Sequence, residues 1–142
     1  MTGADGDAFR HRLRVYWEDT DAGGVVFYAN YLKFFERART EWLRALGVGQ
    51  QRLRDETGVI FIVTETALRY RAPARLDDEL DISVLPTEAG RASLTLQQQA
   101  WRNNGGQAPT LLCEGTIRIG CVAADSFRPV RFPPQISETL SR

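Results

Sequence analysis

Apolar residues along this chain follow two rhythms. Leu13, Val15 and Trp17 alternate with Arg12, Arg14 and Tyr16, the two-residue period of a strand. From Tyr31 the period lengthens: Tyr31, Phe34, Phe35, Ala38, Trp42, Ala45 and Leu46 recur at steps of three and four. Arg37, Arg39, Glu41 and Arg44 fall mostly between them. This spacing predicts an amphipathic helix over about Ala29–Leu46, stopped by Gly47. Its apolar stripe is wide, as expected of a helix wrapped by a sheet. A shorter helix is predicted over about Gln50–Glu56, ending before Gly58.

Beyond Gly58 the period returns to two. Val59–Arg71, Glu79–Leu85, Arg91–Arg102 and Thr110–Val122 read as strands. Turn signals separate them at Pro73, at Pro86 and Gly90, and at Asn104-Gly105-Gly106. In the third of these, Leu94 and Leu96 alternate with Thr95 and Gln97, so one face packs on the helix and the other faces outward. One strand, a long helix and four strands make an α+β order. Residues 1–8 are small, polar and acidic and read as a loose tail. Residues 125–142, with Pro129, Pro133 and Pro134, read as an extended tail over the surface or a partner subunit, leaving 9–124 as the domain.

Composition narrows the function classes. The 142 residues fit one domain, and 18 basic against 18 acidic residues give a net charge of zero. No global field therefore draws the chain to nucleic acid or a membrane surface. No apolar run approaches the ~20 residues that span a bilayer, and the N-terminus has no signal-peptide core, so a cytoplasmic protein is expected. Cys113 and Cys121 agree: on one strand, eight positions put them roughly 26 Å apart, too far for a disulfide.

Candidate chemistry concentrates in Val15–Tyr31, VYWEDTDAGGVVFYANY. Three carboxylates, Glu18, Asp19 and Asp21, crowd a Gly23-Gly24 turn just ahead of the long helix. A plain capped turn uses the same residue types, but one cap needs a single acceptor. A carboxylate beside a helix N-terminus meets unpaired N–H groups and the positive end of the helix dipole. Such a site can hold an anionic nucleophile or base and stabilise an oxyanion. Histidine-based triads are a poor fit, because His11 is the sole histidine and reads as a strand-surface residue. No metal-ligand spacing and no nucleotide-binding glycine loop is present, so no metal and no cofactor are expected.

The pattern Tyr16–Val26, followed by Asn30-Tyr31-Leu32 and Glu36-Arg37-Ala38-Arg39, resembles the 4-hydroxybenzoyl-CoA thioesterase family. Within it, the chain is most similar to the branch of bacterial acyl-CoA thioesterases encoded beside the Tol-Pal envelope system. The block Tyr70–Asp78 is similar to that branch as well, and the likeness runs from about Leu13 to about Pro134. It implies a hotdog fold, a five-stranded antiparallel sheet wrapped around a long central helix, and hydrolysis of acyl-CoA to free acid and CoA. It also implies a homodimer or homotetramer, with acyl carrier protein as a further possible partner. The main alternative is the same fold binding an acyl thioester, acyl carrier protein or an envelope-complex partner without turnover.

By the same resemblance Asp21 is the catalytic acid, as nucleophile or as base for water, and the backbone N–H of Tyr28 polarises the carbonyl. The envelope-linked branch usually carries Tyr-His where this chain has Phe27-Tyr28. Side-chain assistance from that histidine is therefore missing, and Tyr28 could equally be an aromatic packing residue. Glu18 and Asp19 are expected to hold the turn. Gly24, Val26 and Phe27 are candidates for the acyl side of the site. CoA phosphates need cations, and Arg supplies the better fork; Arg71, Arg75, Arg91 and Arg128 flank predicted loops. The crowd of aromatics points to a short-chain or aryl acyl group.

Overall fold

The computed structural model describes residues 8–140. Apart from Ala8, the expected N-terminal tail lies outside the described residues. In chain order the elements are β1 (Phe9–Arg14), a single 3-10 turn (Trp17–Asp19), α1 (Asn30–Ala45), α2 (Gln50–Thr57), β2 (Val59–Tyr70), β3 (Glu79–Ala89), β4 (Ser93–Asn104), β5 (Gln107–Ala123) and α3 (Pro134–Leu140). The five strands form one sheet in the order β1-β3-β4-β5-β2, and every neighbouring pair is antiparallel.

Strand alternation and helix stripe meet in a single core. Tyr31, Phe34, Phe35, Ala38, Trp42 and Leu43 line the buried face of α1. They pack against the inward residues Leu80, Ile82 and Val84 of β3, Leu94, Leu96 and Ala100 of β4, and Ile117, Ile119 and Cys121 of β5. This is the α+β sheet-on-helix arrangement expected of a hotdog fold. Gly47 ends α1 as predicted: its φ is +88°, and its N–H donates to Arg44 O at 2.9 Å. Cys113 and Cys121 both lie on β5 as buried free thiols. His11 sits within β1, opposite Ile82.

Several boundaries differ from expectation; β5, for one, begins at Gln107 rather than Thr110. The first strand ends at Arg14 rather than reaching Trp17, which is 80% exposed. Local bonds override the alternation there: Asp19 N–H donates to Tyr16 O, and Tyr16 N–H donates to Asp19 Oδ2 at 2.8 Å, winding the chain into the 3-10 turn. β3 continues through Pro86 to Ala89 because the register slips between Pro86 and Glu88, a bulge where a missing N–H is tolerated. The C-terminal segment is extended only to Pro133, after which α3 begins; Phe132 and Ile136 are buried in the core. Phe132 N–H donates to Arg91 O, and its ring meets Phe61 at 5.7 Å, so this segment caps one end of the sheet.

Candidate active site

Two loops are stitched together at the opposite end of the sheet, around the start of α1. Val15 N–H donates to Asp78 O, Asp77 N–H to Val15 O, and Val26 N–H to Ala74 O at 2.8 Å. Val25 also bridges Arg75, and Thr20 bridges Val26. The acid segment is thus a small hairpin whose tip is residues 21–24, held on the loop between β2 and β3. At the tip, Asp21 N–H donates to Val25 O and Gly24 N–H donates to Asp21 O at 3.0 Å. Gly24 has a φ of +81°, a conformation that a side chain would oppose.

The acids have separate environments. Asp19 is only 5% exposed; its Oδ2 accepts from Tyr16 N–H and its Oδ1 from the Asn30 side-chain amide, each at 2.8 Å. Its backbone oxygen accepts the Phe27 N–H at 3.0 Å. This matches the expected turn-holding role. Glu18 is exposed. Asp21 is exposed too, yet its Oδ1 is fixed by the Gly23 N–H at 2.8 Å, while Oδ2 accepts no hydrogen bond among the described residues. One carboxylate oxygen is oriented and the other is open, a geometry suited to attacking carbon or taking a proton.

Across the hairpin, Tyr28 lies two residues ahead of α1 and is 63% exposed. Among the described residues no backbone carbonyl accepts its N–H. No side chain caps α1, because Ala29 stands at the cap position and the Asn30 amide is turned back to Asp19. The helix start therefore keeps its partial positive charge for a ligand. Tyr70, at the end of β2, donates its hydroxyl to Tyr28 O at 3.0 Å; its ring meets that of Tyr28 edge-on and that of Tyr31 at a tilt, with centroids 6.2 and 5.7 Å away. Phe27 is partly exposed, its ring centroid 4.8 Å from that of Tyr28, whereas Val26 is buried.

The candidate arginines divide into two groups. Arg75 borders the acid hairpin through its bridge to Val25, and its side chain is exposed. Arg71 follows β2 and pairs with Glu114 at 2.9 Å. Arg91 sits in the β3–β4 turn and Arg128 follows β5, at the sheet end capped by Phe132. From Arg91 to Ala100, whose β5 partner Cys113 also pairs Tyr70, is nine strand positions, roughly 30 Å. Within one chain Arg91 and Arg128 do not join Asp21. Sequence reasoning missed Asn30 and Tyr70 as parts of the site. Both stand in the blocks that carry the family likeness, but as a polar residue at the head of an apolar helix stripe and a tyrosine at a strand end they gave no sign of their partners.

Comparison with known proteins bears directly on this arrangement. The chain is 41% identical over 130 residues to the acyl-CoA thioesterase YbgC of Haemophilus influenzae, covering 92% of each chain. It is 43% identical over 128 residues to the acyl-CoA thioester hydrolase YbgC of Escherichia coli O6:H1, covering 90% of this chain and 92% of that one. A crystal structure of a 4-hydroxybenzoyl-CoA thioesterase variant bound to 4-hydroxybenzoyl-CoA superposes with a TM-score of 0.86 at 19% identity, over 92% of this chain and 96% of that one, a likeness of fold. Residues 15–140, from just after β1 through α3, match the thioesterase-like superfamily, and the chain belongs to that hotdog family.

Proposed function

We infer that this protein is an acyl-CoA thioesterase, hydrolysing acyl-CoA to the free acid and CoA, with Asp21 as its reactive carboxylate. The observation that carries the reading is the pairing of a half-fixed, half-open Asp21 with the unpaired N–H of Tyr28 at an uncapped helix start. The thioester oxygen takes the Tyr28 N–H, where the charge that develops on it is stabilised. Asp21 then acts in one of two ways. As nucleophile it attacks the carbonyl carbon, CoA leaves as thiolate and takes a proton, and water cleaves the mixed anhydride. As base it accepts a proton from water as that oxygen attacks, and the thiolate is protonated on leaving. Either route consumes one water and regenerates the carboxylate.

Phe27, Tyr28 and Tyr70 crowd the acyl side and favour a short-chain or aryl group. Arg75 and Arg71 are positioned for the CoA phosphates of the same chain's site. Arg91 and Arg128 stand too far off and would serve the site of a neighbouring subunit. That assignment requires a homo-oligomer, built by pairing the free edge of β2, whose 12 residues are twice the length of β1 at the other edge. Two free thiols suit a reducing compartment, in keeping with a cytoplasmic location. Among the described residues no helix is long and apolar enough to cross a membrane.

Thiol release from short-chain, long-chain and aromatic acyl-CoAs tests the activity and ranks the substrates. The same acyl groups on acyl carrier protein ask whether the protein carrier is accepted. Turnover of none of them would overturn the reading. A monomer in dilute buffer would remove the shared-site assignment of Arg91 and Arg128.

A further inference from the structure

Gln98 of β4 is fully buried, in the layer where Leu94, Leu96 and Ala100 point toward α1. Its amide nitrogen donates to Phe35 O on α1 at 3.1 Å and to Ser83 O on β3 at 3.3 Å. Those two bonds leave its oxygen to face Arg39, whose Nη1 donates to it at 2.9 Å. The backbone thus fixes the amide, and the amide fixes the guanidinium. The other guanidinium nitrogens of Arg39 find no acceptor among the described residues. They are not sealed in the core either, because every fully buried side-chain nitrogen or oxygen described has a partner.

Arg39 lines a cavity of about 260 Å³ between α1 and β2, away from the acid hairpin. Of the other polar groups on it, Gln50 and Thr40 satisfy each other, Nε2 donating to Oγ1 at 3.2 Å. Glu36 and Arg39 do not. Burial lowers the Arg39 pKa, and Glu36, one turn earlier, raises it in part, yet no ion pair joins them among the described residues. One anion and one cation are left over on the same cavity.

The other wall of the cavity belongs to β2, an edge strand whose second side finds no strand among the described residues. Val63 is 49% exposed there, although it stands opposite the buried Ile119. An open edge with an uncovered apolar residue is a template for another strand. Suppose that strand is the β2 of a second copy, running antiparallel about a two-fold axis at the midpoint of Val59–Tyr70. Ile62 and Val63 then lie less than three positions from the axis, roughly 8 Å. A surface on such an axis meets itself and must be self-complementary. Two arginines alone would repel each other; an arginine and a glutamate that do not meet within one chain fulfil the condition.

We propose that Arg39 is an interchain latch: in a two-fold dimer paired through β2, each Arg39 takes the carboxylate of Glu36 of the partner subunit across this cavity. The inference rests on the β2 pairing put forward above and names the side chains that secure it. Gln98 presets the guanidinium, so little freedom is lost when the carboxylate arrives. In the dimer the pair is desolvated, and removal of either member strands the other.

Sedimentation of the full chain across a dilution series gives the dimer dissociation constant. Glu36→Gln and Arg39→Met should each raise it about a hundredfold, because one charge-assisted hydrogen bond is worth about tenfold and the two-fold repeats it. The double variant should dissociate no more readily than either single one, since each alone already breaks both pairs. Attraction between Glu36 and Arg39 of one copy is the same in monomer and dimer and drops out. Glu36 is exposed, so Glu36→Gln decides the matter even if Arg39→Met does not fold. An unchanged constant in Glu36→Gln overturns the latch and leaves the β2 pairing standing; so do losses that add in the double variant. A monomer at every concentration overturns latch and pairing together, while thiol release by that monomer would leave the thioesterase assignment intact. If hexanoate raises the Tm of such a monomer but not that of Arg39→Met, the cavity holds a free carboxylate instead of a second copy.

Discussion

The side-chain amide of Asn30 donates to the buried carboxylate of Asp19 at 2.8 Å, latching the first residue of α1 to the acid hairpin. Removing the donor leaves a buried carboxylate short of a partner, which costs about 1–3 kcal/mol. Asn30→Leu should therefore lower stability by that order in urea unfolding, and kcat should fall with it because the hairpin and helix start lose their register. Asp19→Asn should cost stability more than chemistry. Unchanged unfolding midpoints in both variants would remove the latch.

Asp21→Asn keeps the shape of the hairpin and removes the anion. Turnover should drop by a factor on the order of 10²–10⁴ while acyl-CoA still binds, since the loss is felt in the transition state. Steady-state kinetics and a binding isotherm on the same preparation separate the two. A folded Asp21→Asn protein working at the parent rate sinks the assignment.

Tyr28→Phe should be mild, because the proposed donor is the main-chain N–H. Tyr70→Phe should cost more: it deletes the hydroxyl that holds Tyr28 O, a bond of about 0.5–1.5 kcal/mol. The expected reading is a fall in kcat with little change in global stability. A large loss in Tyr28→Phe instead would give the Tyr28 hydroxyl a direct part in the chemistry.

Gly115 of β5 lies opposite Leu68 of β2, and a Cβ there would collide with Ala67 O and the Leu68 Cδ2. The obstacle includes backbone, so it cannot swing aside. Gly115→Ala should destabilise the protein by about 1–3 kcal/mol, as overpacking does. Thermal unfolding against the parent checks it, and an unchanged Tm would contradict the β2–β5 packing described.

Alkali should unfold the protein earlier than its ion pairs suggest. Burial pushes the Cys113 thiol up to about 12, the Cys121 thiol to about 11 and the Tyr31 phenol to about 12. The unfolded chain releases these protons first, so above about pH 9 it binds fewer protons than the native state and stability falls with rising pH. The contribution is intact below pH 9 and is lost progressively toward pH 11–12. A pH series of Tm should show this decline, and iodoacetamide should leave both thiols unmodified at neutral pH; labelling of the folded protein would refute it.

Periodicity was a good guide wherever side chains chose between core and solvent. The stripe Tyr31–Phe35–Ala38–Trp42 located α1 to within a residue at each end, and Gly47 marked its stop. The acid hairpin was legible because three carboxylates exceed what a cap needs. Pairwise polar contacts were not. Gln98 sits on an apolar face in one of the plainest alternating strands, and its purpose depends on Phe35, Ser83 and Arg39, which are remote in the chain. Trp17 continued the alternation on paper, but a hydrogen bond to Asp19 turned the backbone out of the sheet. Arg91 looked equivalent to Arg75 as a loop arginine; only the strand register separates them by the length of the sheet.

The strand order also governs how the chain must be made. Among the described residues β2 pairs only with β5, so Val59 waits for Ala123, more than sixty residues later, before its backbone groups are satisfied. Phe132, which closes over Phe61 and bonds Arg91, arrives later still. During synthesis β2 therefore leaves the ribosome long before the strand that pairs with it exists, while α1, made after β1, gains its cover from β3 and β4 only as those strands emerge. Such long-range pairing makes folding slow and leaves partly made chains prone to association. Loss of the segment carrying Phe132 and Ile136 would strike not a decorative tail but a late step of assembly.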